Sequence, residues 1–295
     1  MIAHKEIKSI LNKHKKRDSW FLDDYSINPY EGCGFNCTYC YVHGSKYSEN
    51  LAEKIVIKKD AAAILDKQLT ARAKKDQYGL IAVGSATDAY MQLEEEIGLT
   101  RELLQVVLKH RFPVFFSTKS DLITRDFDLL RQIDEAAILP EDLQPVLKRG
   151  VIISFSFSTL DEKLAGQLES GAPSPQQRLQ TLQKCKEQGF LCGVNAIPLL
   201  PFISDTDEEL EKIIAAAKQF GADYILVGGL TLFGNEERDS KQLYFRFLQN
   251  HYPHLLEKYE KMYGSVFYPS WQYQNDLKKK TELLCKKYSI RNSII

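Results

Sequence analysis

Asn28-Pro29-Tyr30-Glu31-Gly32-Cys33-Gly34-Phe35-Asn36-Cys37-Thr38-Tyr39-Cys40-Tyr41 decides how the rest of the chain is read. It gathers Cys33, Cys37 and Cys40, whereas Cys185, Cys192 and Cys285 are scattered. In a reducing compartment such a cluster is more often a metal site than a disulfide framework. Three thiolates on one loop can hold three irons of a [4Fe–4S] cube and leave the fourth iron open to substrate or cofactor. The rival is zinc, which wants four ligands. His43 follows Cys40 at the interval that separates Cys37 from Cys40, so a Cys₃His zinc site, as in a non-catalytic zinc-stapled binding protein, competes for the same residues.

Outward from this loop, strand-like runs alternate with helical patterns. Ile27 to Tyr30 leads into the cysteines, and Asp60 to Lys74 has a helical apolar stripe. Leu80-Ile-Ala-Val-Gly reads as a buried strand, followed by a helix over Leu99 to His110 with Thr100 as its N-cap. Further strands are expected at Pro113–Lys119, Val151–Phe157, Phe190–Leu200 and Tyr224–Gly229. Helices are expected over Asp126–Asp134, after Ser174-Pro175-Gln176-Gln177, and after a capping box at Thr206–Glu209. Only helical patterns follow, around Lys241–Tyr263 and Asn275–Lys287.

Six such units predict an α/β fold with parallel strands. No G-x-G-x-x-G follows any strand. Polar residues instead collect at strand carboxyl ends: Thr87 and Asp88, Thr118 and Lys119, Ser156, Asn195. That pattern predicts a partial (β/α)6 TIM-type barrel with its chemistry at one mouth. The expected division is a basic extension over 1–25, the barrel over 26–235 and a helical C-terminal extension over 236–295.

The 295 residues are 44% hydrophobic and 26% charged, which excludes a disordered chain or a disulfide miniprotein. No apolar run is long enough to span a membrane, and the start lacks a secretory pattern, so a cytoplasmic protein without a membrane partner is expected. Net charge is zero but unevenly laid out. Residues 1–17 and 271–295 are basic, and Glu94-Glu95-Glu96 makes an acidic spot between them. The basic ends read either as a phosphate-gripping surface for nucleic acid or as solvated helical ends.

The Cys33-x₃-Cys37-x₂-Cys40 motif, with the aromatic Tyr39 before its last cysteine, resembles the radical S-adenosylmethionine (SAM) superfamily. More narrowly, Asn28–Cys33, Thr87–Tyr90, Leu99–Arg101, Thr118–Ser120, Arg125-Asp126 and Pro173–Arg178 resemble the spore photoproduct lyase-like group, often described as DNA repair photolyases. The resemblance implies a [4Fe–4S] cluster on Cys33, Cys37 and Cys40, and SAM chelated to the open iron. It implies reductive cleavage of SAM to a 5′-deoxyadenosyl radical that abstracts hydrogen, with an electron donor such as flavodoxin or ferredoxin. Tyr39, Thr87, Lys119, Ser156, Asn195 and Ala196 stand where the group contacts SAM, with Lys119 toward the methionine carboxylate. Tyr41 and Tyr90 are candidates for radical relay, with packed aromatics as the alternative; a surface lysine is the alternative for Lys119, and buried capping hydroxyls for Thr87 and Ser156.

Two departures matter. The Gly-Gly-Glu signature is replaced by Gly84-Ser85-Ala86-Thr87-Asp88, and Ser85 stands where the lyases carry a hydrogen-donating cysteine. A serine O–H bond is too strong for that role, so thymine-dimer repair itself is not expected. Cys192, alone on the fifth strand, reads as core. The substrate is then a nucleic-acid base or nucleotide, or else a peptide or small metabolite.

Overall fold

The computed structural model describes residues 2–45 and 54–295. Its strands in chain order are β1 (Ile2–Lys5), β2 (Asn12–Lys13), β3 (Asp23–Ile27), β4 (Tyr30–Glu31), β5 (Ile55–Lys58), β6 (Leu80–Val83), β7 (Val114–Thr118), β8 (Val151–Ser156), β9 (Leu191–Leu199) and β10 (Tyr224–Gly229). The helices are α1 (Ala61–Ala73), α2 (Leu93–Ile97), α3 (Leu99–His110), α4 (Phe127–Ala136), α5 (Glu162–Leu168), α6 (Pro175–Glu187), α7 (Asp207–Gln219), α8 (Ser240–His251), α9 (Leu256–Tyr263) and α10 (Trp271–Tyr288).

β3, β6, β7, β8, β9 and β10 are parallel and adjacent in that order, and β2 adds antiparallel to the free edge of β3. The sheet stays open between β2 and β10, which makes it the expected six-unit partial barrel. A separate small sheet, β1-β5-β4, carries the start of the chain. β6, β7 and β8 are apolar and almost wholly buried because helices cover one face and the lumen fills the other. Ile81, Val83, Val114, Phe116, Ile153 and Val194 pack with the apolar stripes of α1, α3, α4, α6 and α7. Leu80, Ala82, Phe115, Ile152, Tyr224 and Leu226 form a second, lumen-side cluster.

Several local expectations are corrected. The first barrel strand is Asp23–Ile27 rather than Ile27–Tyr30; Tyr30 belongs to the small sheet. Residues 2–5 are a strand paired with Ile55–Lys58, so this basic end is not helical. Gly98 in the left-handed region, not Thr100, caps α3, and the Thr100 hydroxyl donates to Ala89 O at 2.6 Å. At α7 the Thr206 hydroxyl accepts from Glu209 N, but the Glu209 carboxylate receives Lys212 instead of closing a capping box. The box at Ser174–Gln177 is complete. Glu94 is not surface charge either. It is buried, accepts from the Tyr30 hydroxyl and Thr100 N, and pairs with Arg125 at 2.8 Å.

Candidate active site

A cavity of about 560 Å³ occupies the lumen and opens at the carboxyl ends of the strands. Cys33, Cys37 and Cys40 all line it, on the loop that leaves β4. The loop is held by backbone contacts from across the barrel. Thr38 N donates to Leu168 O at 2.9 Å, Gly171 N to Phe35 O at 3.2 Å, and Cys37 bridges Glu169. The approach at Gly171 is so close that a Cβ there would lie 2.1 Å from Gly34 O, which only glycine permits. Asn36 adopts the left-handed region, turning the chain between Cys33 and Cys37.

Beneath the cysteines is a buried polar network centred on Glu169, 1% exposed. Its carboxylate accepts from the Tyr39 hydroxyl, from Ser158 at 2.9 Å and from Arg178, itself 1% exposed. Lys119 Nζ is 4.0 Å away, over the Tyr39 ring at 6.0 Å. Lys119 is therefore interior, with its side chain 13% exposed, and the surface-lysine alternative is overturned. Burial opposes its charge, but the neighbouring acidic groups, led by the Glu169 carboxylate, outweigh burial and raise it above the ordinary lysine range. Glu169 is held low in turn: burial pushes it up, and Lys119 and Arg178 pull it further down. Asp88 ties two strand ends together, accepting from Thr118 Oγ1 at 2.8 Å and from Lys119 N at 2.8 Å.

The remaining mouth residues form one patch. Ser117 Oγ lies 2.9 Å from Ser156 Oγ and accepts from Asn195 Nδ2 at 2.8 Å. All three line the cavity, as do Tyr39, Thr87 and Lys119. Tyr41 is on its rim, 43% exposed, donating to Ser85 O at 2.7 Å. Two expected residues are not brought to the cavity. Tyr90 is fully buried against Phe116, with ring centroids 5.7 Å apart, and belongs to the core. Ala196 directs its methyl into the main core, as strand alternation requires once Asn195 faces the lumen. Cys192 is core as expected. Ser117, Glu169 and Arg178 carry weight that the sequence reading missed. Period-two counting back from Lys119 points to Ser117; no local pattern brings Glu169 to Tyr39.

The donor set fits an iron–sulfur cluster and a polar cofactor. Burial pushes the Cys33 thiol up to about 12, with Asp88 adding to it, and also raises Cys37 and Cys40. Thiols so placed ionise only against the charge of a metal. At the same mouth Thr87 Oγ1 and Asn195 Oδ1 are buried without a hydrogen-bond partner, which a bound polar ligand would supply.

Three cysteines thus lie together at the mouth of an open parallel barrel, on the loop that leaves β4. The radical SAM superfamily model matches residues 27–217, and the chain belongs to that superfamily; it is a radical SAM enzyme. Membership implies a [4Fe–4S] cluster, SAM and a reductant. An uncharacterized protein of Mycobacterium tuberculosis is 27% identical over 273 residues, 90% of this chain and 75% of that one. An uncharacterized protein of Methanocaldococcus jannaschii is 26% identical over 239 residues, 80% of this chain and 78% of that one. Spore photoproduct lyase complexed with dinucleoside spore photoproduct has the same fold, with a TM-score of 0.69 over 97% of this chain and 79% of that one at 13% identity. Among the described residues no helix is long and apolar enough to cross a membrane.

Proposed function

We propose that Cys33, Cys37 and Cys40 hold the [4Fe–4S] cluster and that the enzyme reductively cleaves SAM to abstract hydrogen from its substrate. The convergence of the three thiols with the unpartnered Thr87 and Asn195 atoms on one cavity carries this reading. When bound, the cluster and SAM supply a 5′-deoxyadenosyl radical from one electron, delivered by a donor such as flavodoxin or ferredoxin. The rest is the work of the chain. Lys119, raised and interior, is the cation for the methionine carboxylate. Thr87, Ser156 and Asn195 offer hydroxyl and amide contacts beside it. Tyr39, fixed by Glu169, seals the loop beneath the cysteines. Tyr41, which lines the cavity at its rim, is our candidate for a relay to substrate.

A nucleic-acid base or nucleotide is the substrate class that the basic ends suggest. Ion pairing favours the other class, a small metabolite or peptide. Lys5 pairs with Glu31, Arg17 with Asp24 and Asp142, Lys280 with Asp207, and Lys287 with Glu211. These are four of the twelve Lys and Arg residues within 1–17 and 271–295, and each exposed pair is weak, so the pairing lowers the attraction for phosphates only modestly. The test of the whole reading is anaerobic incubation with SAM and a reductant. Release of methionine and 5′-deoxyadenosine supports it; intact SAM over an iron- and sulfide-loaded protein refutes it.

A further inference from the structure

The cavity wall descends in steps set by the strand repeat. Lys119 stands at the mouth, Ser117 one step in, and Phe115 at the inner end, all three lining the cavity. At ~3.3 Å per residue, Phe115 lies ~13 Å from Lys119 measured along the strand, and Asp23 opens β3 at the end opposite to the mouth. The upper levels hold every residue assigned to cluster and SAM above. The inner end holds none of them.

That end is an aromatic wall with one carboxylate. The rings of Phe21 and Phe115 are 5.2 Å apart and tilted by 32°. Asp23 is 4% exposed and lines the cavity because the pairing register of β3 with β6 shifts between Asp23 and Tyr25. The inserted Asp24 turns away to Arg17 and Leu80 N, which re-aims its neighbour as bulges do. Asp23 Oδ2 lies 3.2 Å from His14 Nδ1, while Oδ1 is buried with no hydrogen-bond partner. The other nitrogen of His14 is engaged by Ser26 Oγ at 3.2 Å. Phe21 and Asp23 also border an outer cavity of about 400 Å³ from which His14 braces the carboxylate. Burial raises the Asp23 carboxyl above the ordinary carboxylate range, and His14 opposes that rise without cancelling it.

We propose that the inner end binds a protonated amine carried on a planar or apolar body, with Asp23 as its ion-pair partner and Phe21 and Phe115 against the body. A buried carboxylate with a free oxygen is completed by a charge-assisted donor, and aromatic faces favour a cation beside them. That this amine belongs to the substrate rests on the radical SAM reading above; the amine site itself stands on Asp23.

Benzylammonium is the probe and benzyl alcohol its neutral isostere. Binding is measured by calorimetry on the cluster-reconstituted protein with SAM and no reductant. The ammonium is expected to bind about tenfold or more tightly than the alcohol, the usual worth of a hydrogen bond to a charged group. Asp23→Asn is expected to abolish that preference while iron, sulfide and visible absorbance stay as in the wild type. The comparison on the wild-type protein stands without any variant. Equal affinity for the two probes, or no ammonium binding at millimolar concentration, overturns the proposal. Missing iron and sulfide, by contrast, would refute the cofactor reading and leave the probe comparison to be read on its own.

Discussion

Lys119 Nζ stands 4.0 Å from Glu169 Oε1 in the interior, and Glu169 is shared with Arg178 and the Tyr39 hydroxyl. One carboxylate thus serves two buried cations at the floor of the cysteine loop. Neither cation is fully neutralised by it, which leaves Lys119 able to receive a second carboxylate from the cavity.

Glu169→Ala is expected to destabilise the protein by about 3–5 kcal/mol, because Arg178 and Lys119 are left as uncompensated buried charges. Denaturant unfolding checks this. A loss within about 0.5 kcal/mol, the scale of an ordinary surface substitution, would mean the network is replaceable by water.

Lys119→Ala removes a charge from the mouth without touching a thiol. Cluster content is expected to hold, while SAM binding weakens by about 1.5–3 kcal/mol. Equilibrium binding of SAM to the reconstituted protein reads the change, and an unaltered affinity would take Lys119 out of the cofactor site.

Tyr90 and Tyr41 separate packing from chemistry. Tyr90→Phe deletes a buried hydroxyl that has no hydrogen-bond partner, so stability is expected to hold or rise by up to about 1 kcal/mol. SAM cleavage is expected to be unchanged, because the ring lies in the core against Phe116. Tyr41→Phe loses its contact with Ser85 O at the rim and is expected to slow substrate turnover more than uncoupled SAM cleavage. Assays of both variants with and without substrate distinguish the two; equal behaviour would remove the relay from Tyr41.

The barrel was legible because its strands are short apolar runs ending in polar residues, a pattern that periodicity exposes. The metal loop was legible because cysteine spacing is local. What stayed hidden is long-range. Glu169 lies 130 residues from Tyr39, yet the two hydrogen-bond, and Glu94 lies 64 residues from Tyr30. Arg101 on α3 pairs with buried Asp126 and with Asp128 on α4, and Arg125 pairs with the same Asp126 and with Glu94 on α2. Lys119 was ambiguous because a lysine at a strand end snorkels to solvent unless an interior carboxylate receives it, and that carboxylate is 50 residues away.

Binding to single-stranded DNA is expected to be weak and to show a shallow salt dependence, since the chain carries no net charge and Lys5, Arg17, Lys280 and Lys287 each have a carboxylate neighbour. Titration across salt concentrations measures the slope. A steep slope that flattens on neutralising Lys278, Lys279 and Lys280 would restore nucleic acid as the substrate class.

Cys33, Cys37 and Cys40 are proposed to hold a site-open cluster, with no further protein ligand among the described residues. The most direct test of that assignment is iron, acid-labile sulfide and visible absorbance of anaerobically reconstituted wild type beside Cys33→Ala, Cys37→Ala and Cys40→Ala. The wild type is predicted to hold about four irons and four sulfides per chain, and each variant to lose the absorbance and SAM cleavage together. One tightly held zinc with no sulfide, or a variant that keeps the full cluster, would contradict it.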